Sequence, residues 1–170
     1  GTQSSGKTSL VKTLSQLPEF QIFEFYTEKS KILQSQGIKL NTDSTMSGQT
    51  TFLSHRLLEL DTENFISDRS IIDVLSYTLN ASSISQSDKT AFEYYASRFI
   101  SEYDWIFYVS PAGVPIEVNG VRETNAEYRI TIDQTIKYLC SSHLDKIKNF
   151  GIISGSMEDR IKQIKSYLSL

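Results

Sequence analysis

The sequence predicts an α/β fold, a three-layer αβα sandwich in which about five mostly parallel strands lie between helices. Two observations carry this prediction. Short apolar runs alternate along the chain with longer stretches of helical period, which is typical of parallel strands joined by helical crossovers. The chain also begins with GTQSSGKT, the pattern of a phosphate-binding loop between a strand and a helix. With 170 residues, the chain fits one domain spanning residues 1–170.

The elements follow in chain order from periodicity and turn signals. Strands are expected at 21–25, 64–67, 105–109 and 150–153, where short apolar runs are bounded by turns. A phosphate-binding loop hangs from the end of a central strand, so an opening strand is expected before Gly1. Asp88 is expected to cap a helix. Helical spacing of apolar residues predicts helices over 9–14, 29–36, 50–60, 71–79, 88–102, 127–144 and 157–168.

Composition restricts the classes of function. The net charge of −3 gives no basic footprint for coating nucleic acid, so DNA is possible as a partner but unsupported by charge. No apolar run approaches the roughly 20 residues that span a bilayer, so no membrane partner is expected. The single cysteine, Cys140, cannot form an internal disulfide and lies in an apolar helical pattern, which favours a packing role and a reducing cytoplasm.

The first eight residues carry the most specific chemistry of the chain. Small residues allow successive backbone N–H groups to close around nucleotide phosphates, while Lys7 reaches the outer phosphates and the Thr8 hydroxyl ligates Mg²⁺. The helix that follows points the positive end of its dipole at the phosphates. The residues expected to hold the nucleotide here are Gly1, Thr2, Gln3, Ser4, Ser5, Gly6, Lys7 and Thr8.

A second candidate group follows the strand at 64–67. Asp68 and Arg69 would stand at the carboxyl end of a central strand, the edge of a parallel sheet at which ligands bind. There Asp68 can hold Mg²⁺ or orient a phosphate acceptor, and Arg69 can grip an anionic substrate with two N–H groups. Asp73 could face the same cleft from the following helix. A surface ion pair at the strand end is the alternative interpretation.

The stretch 119–129 has the composition of a lid. It combines glycine, Arg122, Arg129 and the start of a helix. Arginines on a mobile segment can neutralise phosphoryl charge while closure excludes water. The alternative is a solvated helix start in which neighbouring glutamates pair with the arginines.

Two weaker segments complete the candidate site. Glu28 and Lys31 follow the second strand, where Glu28 could bond a sugar hydroxyl or act on the acceptor and Lys31 could meet its phosphate. Ser154 and Gly155 follow the last strand and could pack backbone groups against the nucleotide base. Solvated or capping turns explain both segments almost as well.

Taken together, these residues resemble the P-loop kinases of the thymidylate kinase and nucleoside monophosphate kinase group, including small AAA-like kinase domains found in phages and in nicotinamide riboside kinases. The resemblance covers nearly the whole chain. It implies a P-loop NTPase fold, with ATP and Mg²⁺ on Lys7 and Thr8. It further implies an acceptor near Glu28, Asp68 and Arg69 and a closing lid. A thymidylate kinase would show Arg-Glu-Pro after its second strand, where this chain has Thr-Glu-Lys.

Three functions are therefore weighed. The first is a kinase that transfers the γ-phosphoryl group of ATP to a nucleotide or nucleoside-like acceptor. The second is a kinase acting on a modified base or an end within DNA, and the third is an ATPase or switch without a small-molecule acceptor. The stretch after residue 109 lacks the Asn-Lys-x-Asp motif of a guanine-specific switch. This absence makes the third function less favoured than the first. A homodimer is left open.

Overall fold

The computed structural model describes residues 1–3, 5–111 and 126–170, and within them the fold is α/β. The described strands are β1 (Glu24–Tyr26), β2 (Phe65–Ser67), β3 (Ile106–Val109) and β4 (Phe150–Ile153). The described α-helices are α1 (Lys7–Leu14), α2 (Ser30–Ser35), α3 (Met46–Glu59), α4 (Ile71–Asn80), α5 (Gln86–Ala96), α6 (Ala126–Ser142) and α7 (Met157–Leu168).

The strands pair in parallel, as the alternation of strands and helices predicts. β1 pairs with β2 from Glu24 opposite Phe65 to Tyr26 opposite Ser67, and β3 pairs with β4 in the same sense. Among the described residues they form two sheets of two strands each, rather than one sheet of about five. In each pair the carboxyl ends lie side by side. The loops that follow β1 and β2 therefore leave the sheet at a common edge.

The apolar core has two parts. In the larger part, α4 packs on α6, and both Ile71 of α4 and Ile132 of α6 are fully buried. Seven of the ten residues of α4 are buried, which explains why its apolar residues run almost around the helix. The smaller part joins α1 and α7 to the second sheet through Leu10, Leu14, Phe20, Val109, Ile153 and Ile164.

Side-chain caps fix the starts of several helices. Ser70 and Asp73 form a capping box at the start of α4, and Ser156 and Asp159 form another at α7. The expected cap at Asp88 is wrong. Ser85 caps α5 instead, because its hydroxyl accepts the N–H of Asp88, which lies inside the first turn.

The structure also bears on the predictions made for Cys140, for membrane-spanning helices and for the lid. Cys140 is buried in the core on α6, as its apolar surroundings predict, and burial raises the pKa of its thiol to about 11. No helix in the described ranges has the length and apolar character needed to cross a bilayer. The opening strand before Gly1 and the single-domain assignment stay predictions. Most of the lid expected at 119–129 falls at residues 119–125, outside the described residues.

Candidate active site

The phosphate-binding loop is closed on itself by short polar contacts. Gly6 has φ +82°, a conformation that residues with a side chain rarely adopt, and it caps the start of α1. The Ser5 hydroxyl donates to the Thr2 carbonyl at 3.0 Å. A Cβ atom at Gly1 would lie 2.1 Å from the Val109 carbonyl oxygen, so only glycine allows the loop to start this close to β3. Glycine is thus required at both positions for steric reasons.

Lys7 reaches back over this loop. Its ammonium group donates to the Thr2 carbonyl at 2.6 Å and to the Ser5 hydroxyl at 3.2 Å. Burial and the neighbouring Arg69 charge lower the pKa of Lys7 to about 8. The loop therefore holds a positive charge that lacks full compensation, at the place where the P-loop pattern expects phosphates.

The first turn of α1 meets the end of β2 through one contact. The Thr8 hydroxyl donates to Asp68 Oδ2 at 2.5 Å, and the Asp68 side chain is almost fully buried. The other carboxylate oxygen, Oδ1, is also buried and lacks a hydrogen-bond partner among the described residues. A hydroxyl beside a carboxylate with a spare oxygen is a suitable ligand set for Mg²⁺, which takes one or two protein oxygens and completes its shell with phosphate and water.

Arg69 turns away from Asp68 into a neighbouring cavity. Its backbone has φ +98°, an unfavourable conformation for arginine. The guanidinium lies 3.6 Å from Glu28 and 3.9 Å from Asp73, and it stacks over the Tyr77 ring at 5.2 Å. Burial opposes its charge, but Tyr77, Glu28 and Asp73 outweigh burial and raise the pKa of Arg69 well above its ordinary value.

Asp73 has two roles in this geometry. One oxygen accepts the backbone N–H of Ser70 at 3.0 Å and so caps α4, while the other faces Arg69. Burial would raise the pKa of Asp73, but surrounding positive charges, Arg69 and Lys7 among them, hold it below its ordinary value. The carboxylate is therefore charged and fixed in place.

A cavity of about 510 Å³ lies between the phosphate-binding loop, α2, α3 and α4. This is within the usual size range of small-molecule sites. Six predicted site residues line it: Gln3, Thr8, Glu28, Lys31, Arg69 and Asp73. The cavity is also lined by residues that the sequence did not predict, among them Lys12, Gln49, Phe52 and Tyr77.

The remaining predicted residues are separate from this cavity. Arg129 lies on α6, where its guanidinium donates to the Pro111 carbonyl at 3.2 Å, and its own carbonyl is 3.4 Å from the Thr2 hydroxyl. Ser154 and Gly155 form the turn between β4 and α7, in which Ser154 exchanges hydrogen bonds with the Gln163 amide. Arg129 therefore borders the loop rather than the cavity. Ser4 and Arg122 lie outside the described residues.

Two buried arginines that were not predicted from the sequence hydrogen-bond to the backbone of the segments that carry the site residues. Arg56 of α3 donates to the Ser67 hydroxyl and to the carbonyls of Asp68 and Arg69, and it pairs with Glu59 at 2.7 Å. Arg160 of α7 donates to the carbonyls of Ser5 and Gly155. A charged residue at an inward-facing helix position was the available signal, but it does not identify the partner.

A phosphate-binding loop at the carboxyl ends of parallel strands, with an acidic residue facing its threonine, defines a P-loop NTPase-like α/β protein. The chain belongs to the AAA domain family, whose model matches residues 1–160. Its fold is similar to that of a solved deoxyadenosine kinase from M. mycoides, described with the products dCMP and a flexible dCDP bound. That match has a TM-score of 0.63 and 18% identity and covers 99% of this chain and 96% of the other. No curated protein matches the chain.

Proposed function

We propose that this protein is a kinase that moves the γ-phosphoryl group of ATP to a hydroxyl of a nucleoside or nucleotide. The observation that carries the proposal is the pair of neighbouring polar groups at the end of β2. Asp68 faces Thr8 of the phosphate-binding loop, and Arg69, the next residue, faces Glu28 in the cavity. A donor half and an acceptor half are thus adjacent, as transfer between two bound molecules requires.

On the donor side, the loop residues 1–8 hold the phosphates of ATP. Lys7 leaves the Thr2 carbonyl and binds the outer phosphate oxygens. Thr8 and Asp68 are the residues that would hold Mg²⁺. When bound there, the ion would neutralise phosphate charge. Ser154 and Gly155 pack against the base. Arg122 and Arg129 neutralise the charge of the transferring group.

On the acceptor side, Glu28 is the base. Its carboxylate lies beside the cavity and accepts the proton of the attacking hydroxyl as the new O–P bond forms. The bond from the γ-phosphorus to the bridging oxygen breaks, and ADP leaves. Arg69 holds Glu28 and meets the charge that develops on the acceptor oxygen.

The cavity's chemistry supports a nucleoside as the acceptor. Arg69 already pairs with Glu28 and Asp73, so its positive charge is largely neutralised before an acceptor binds. The carboxylates of Glu28 and Asp73 would in addition repel the phosphate of an acceptor. The Gln49 amide and the Phe52 ring line the same space and supply the paired hydrogen bonds and the apolar face that a base requires.

A nucleoside monophosphate is the second candidate acceptor. Lys12 and Lys31 also line the cavity, and no carboxylate lies within ion-pair distance of either among the residues that the structure describes. Two free ammonium groups suit a substrate phosphate. The cavity volume supports either small molecule over an acceptor within duplex DNA.

An acceptor panel tests the proposal. The protein is incubated with ATP and Mg²⁺ and with nucleosides, nucleoside monophosphates or base-modified DNA, and products are identified by mass spectrometry. We expect a nucleoside to be phosphorylated and Glu28→Gln to lower kcat about 10²- to 10⁴-fold. A Lys31→Gln variant that loses activity toward monophosphates alone would favour the second acceptor. Transfer to DNA alone, or ATP turnover that no acceptor stimulates, would overturn the proposal.

A further inference from the structure

Arg160 connects α7 to the phosphate-binding loop across the whole length of the chain. Its side chain is only 4% exposed. Nη1 donates to the Ser5 carbonyl at 2.6 Å, and Nε donates to the Gly155 carbonyl at 2.9 Å. One guanidinium therefore joins the loop expected to hold phosphates to the turn after β4.

The charge of Arg160 has no counter-ion in the part of the chain that the structure describes. The two acids nearest to it in the sequence are engaged elsewhere, since Glu158 pairs with Lys162 and Asp159 caps the start of α7. Carbonyl dipoles are its described acceptors. Burying an arginine charge without a carboxylate partner costs folding free energy, and an anion bound nearby would offset this cost.

The contact with Ser5 also determines the direction of a peptide group. In a trans peptide, the carbonyl of one residue and the N–H of the next point in opposite directions. Because Arg160 holds the Ser5 carbonyl on the α7 side, the N–H of Gly6 is directed to the opposite side. Gly6 itself packs against Arg160, since a Cβ atom there would lie 3.0 Å from Nη1.

We infer that Arg160 is a positioning residue for the nucleotide: it fixes the Ser5–Gly6 peptide so that its N–H binds a phosphate oxygen, and its charge favours the bound anion. The inference rests on the nucleotide-binding half of the proposed function and is independent of the acceptor. A neutral or shorter side chain at this position leaves the peptide free to rotate and removes the charge.

The test measures binding of ADP and of inorganic tripolyphosphate by calorimetry, without any acceptor. Arg160→Met removes the charge, and Arg160→Lys keeps it but cannot bridge both carbonyls. Lys162→Met is the matched control, because it removes one positive charge from an exposed position of the same helix. Denaturant unfolding of each variant gives the folded fraction, and the binding data are corrected for it.

We expect Arg160→Met to weaken both ligands about 10- to 100-fold, Arg160→Lys to be intermediate, and Lys162→Met to bind like the wild type. Unchanged binding by the folded fraction of Arg160→Met would reduce Arg160 to a structural role and overturn the inference. Normal tripolyphosphate binding with weakened ADP binding would also overturn it, because the effect would then come from the turn at Gly155. A wild type that binds ADP but phosphorylates no acceptor would contradict the proposed function and leave this inference standing.

Discussion

Asp68 and Arg69 are neighbours in the chain but face opposite halves of the candidate site. Asp68 contacts Thr8 of the phosphate-binding loop, and Arg69 enters the cavity beside Glu28. The left-handed backbone at Arg69 accompanies this divergence and costs roughly 1–2 kcal/mol. Arg56 stabilises it by donating to the Arg69 carbonyl at 3.2 Å. Strain at such a position is typical of functional sites.

Substitution of Arg69 separates this strain from its function. Arg69→Gly and Arg69→Ala both remove the guanidinium, so we expect either to lower kcat/KM for the acceptor about 10²-fold. Glycine tolerates φ +98° and alanine does not, so the glycine variant should be more stable by about 1 kcal/mol in urea unfolding. Equal stability of the two variants would show that the positive φ is not retained in solution.

We expect the ammonium group of Lys7 to make nucleotide binding depend on pH. Its pKa of about 8 lies below the ordinary value because burial and Arg69 oppose the charge, and bound phosphates would raise it again. Binding should therefore take up a proton at pH 8.5 and weaken as pH rises from 8 toward 10. Calorimetry in two buffers of different ionisation enthalpy measures the uptake. Lys7→Met should show none, and a wild type without uptake would refute this account.

At the scale of elements, a buried ion pair joins α3 to β2. Arg56 and Glu59 are both almost fully buried, and the Ser67 hydroxyl lies between them, accepting from Arg56 at 2.6 Å and donating to Glu59 at 2.8 Å. Burial raises the pKa of Glu59, although the Arg56 charge counteracts this. The pair fixes the end of β2, from which Asp68 and Arg69 extend.

Replacing only Arg56 should destabilise the protein more than replacing both Arg56 and Glu59. Arg56→Met leaves the Glu59 carboxylate buried without its counter-ion, which costs about 3–5 kcal/mol. The double variant with Glu59→Met should recover much of this loss. Because burial raises the pKa of Glu59, the defect of the single variant should be smaller at pH 5 than at pH 8. Unfolding midpoints measure both effects, and a double variant as unstable as the single one would contradict this assignment.

The sequence predicts elements better than the contacts between them. The last helix begins and ends as expected, because Ser156 caps it and its apolar residues keep helical spacing. The helix α3 begins four residues earlier than expected, since Thr45 supplies a cap that periodicity does not show. Contacts such as that of Arg160 with Ser5 join residues 155 positions apart, and a single sequence has no local pattern for them.

For the whole molecule, the parallel pairing of the strands creates the site. β1 and β2 end side by side, so the residues that follow them reach one edge, where α1 presents the phosphate-binding loop. The loop motif and the parallel pattern predict this edge, and Asp68, Arg69 and Glu28 follow their strands there. The roles of these three residues stay predictions. Gln49 and Phe52 were not predicted, because they come from the middle of α3 and join the site only when that helix packs against the cavity.

The fate of the γ-phosphoryl group distinguishes a kinase from an ATPase. The protein is incubated with Mg²⁺, a mixture of nucleosides and ATP that carries ¹⁸O in its γ-phosphate, and the products are separated and weighed by mass spectrometry. We predict that the label appears in a nucleoside phosphate ester and that Lys7→Met produces none. Label found entirely in inorganic phosphate, at a rate that no acceptor changes, would contradict a kinase and indicate an ATPase.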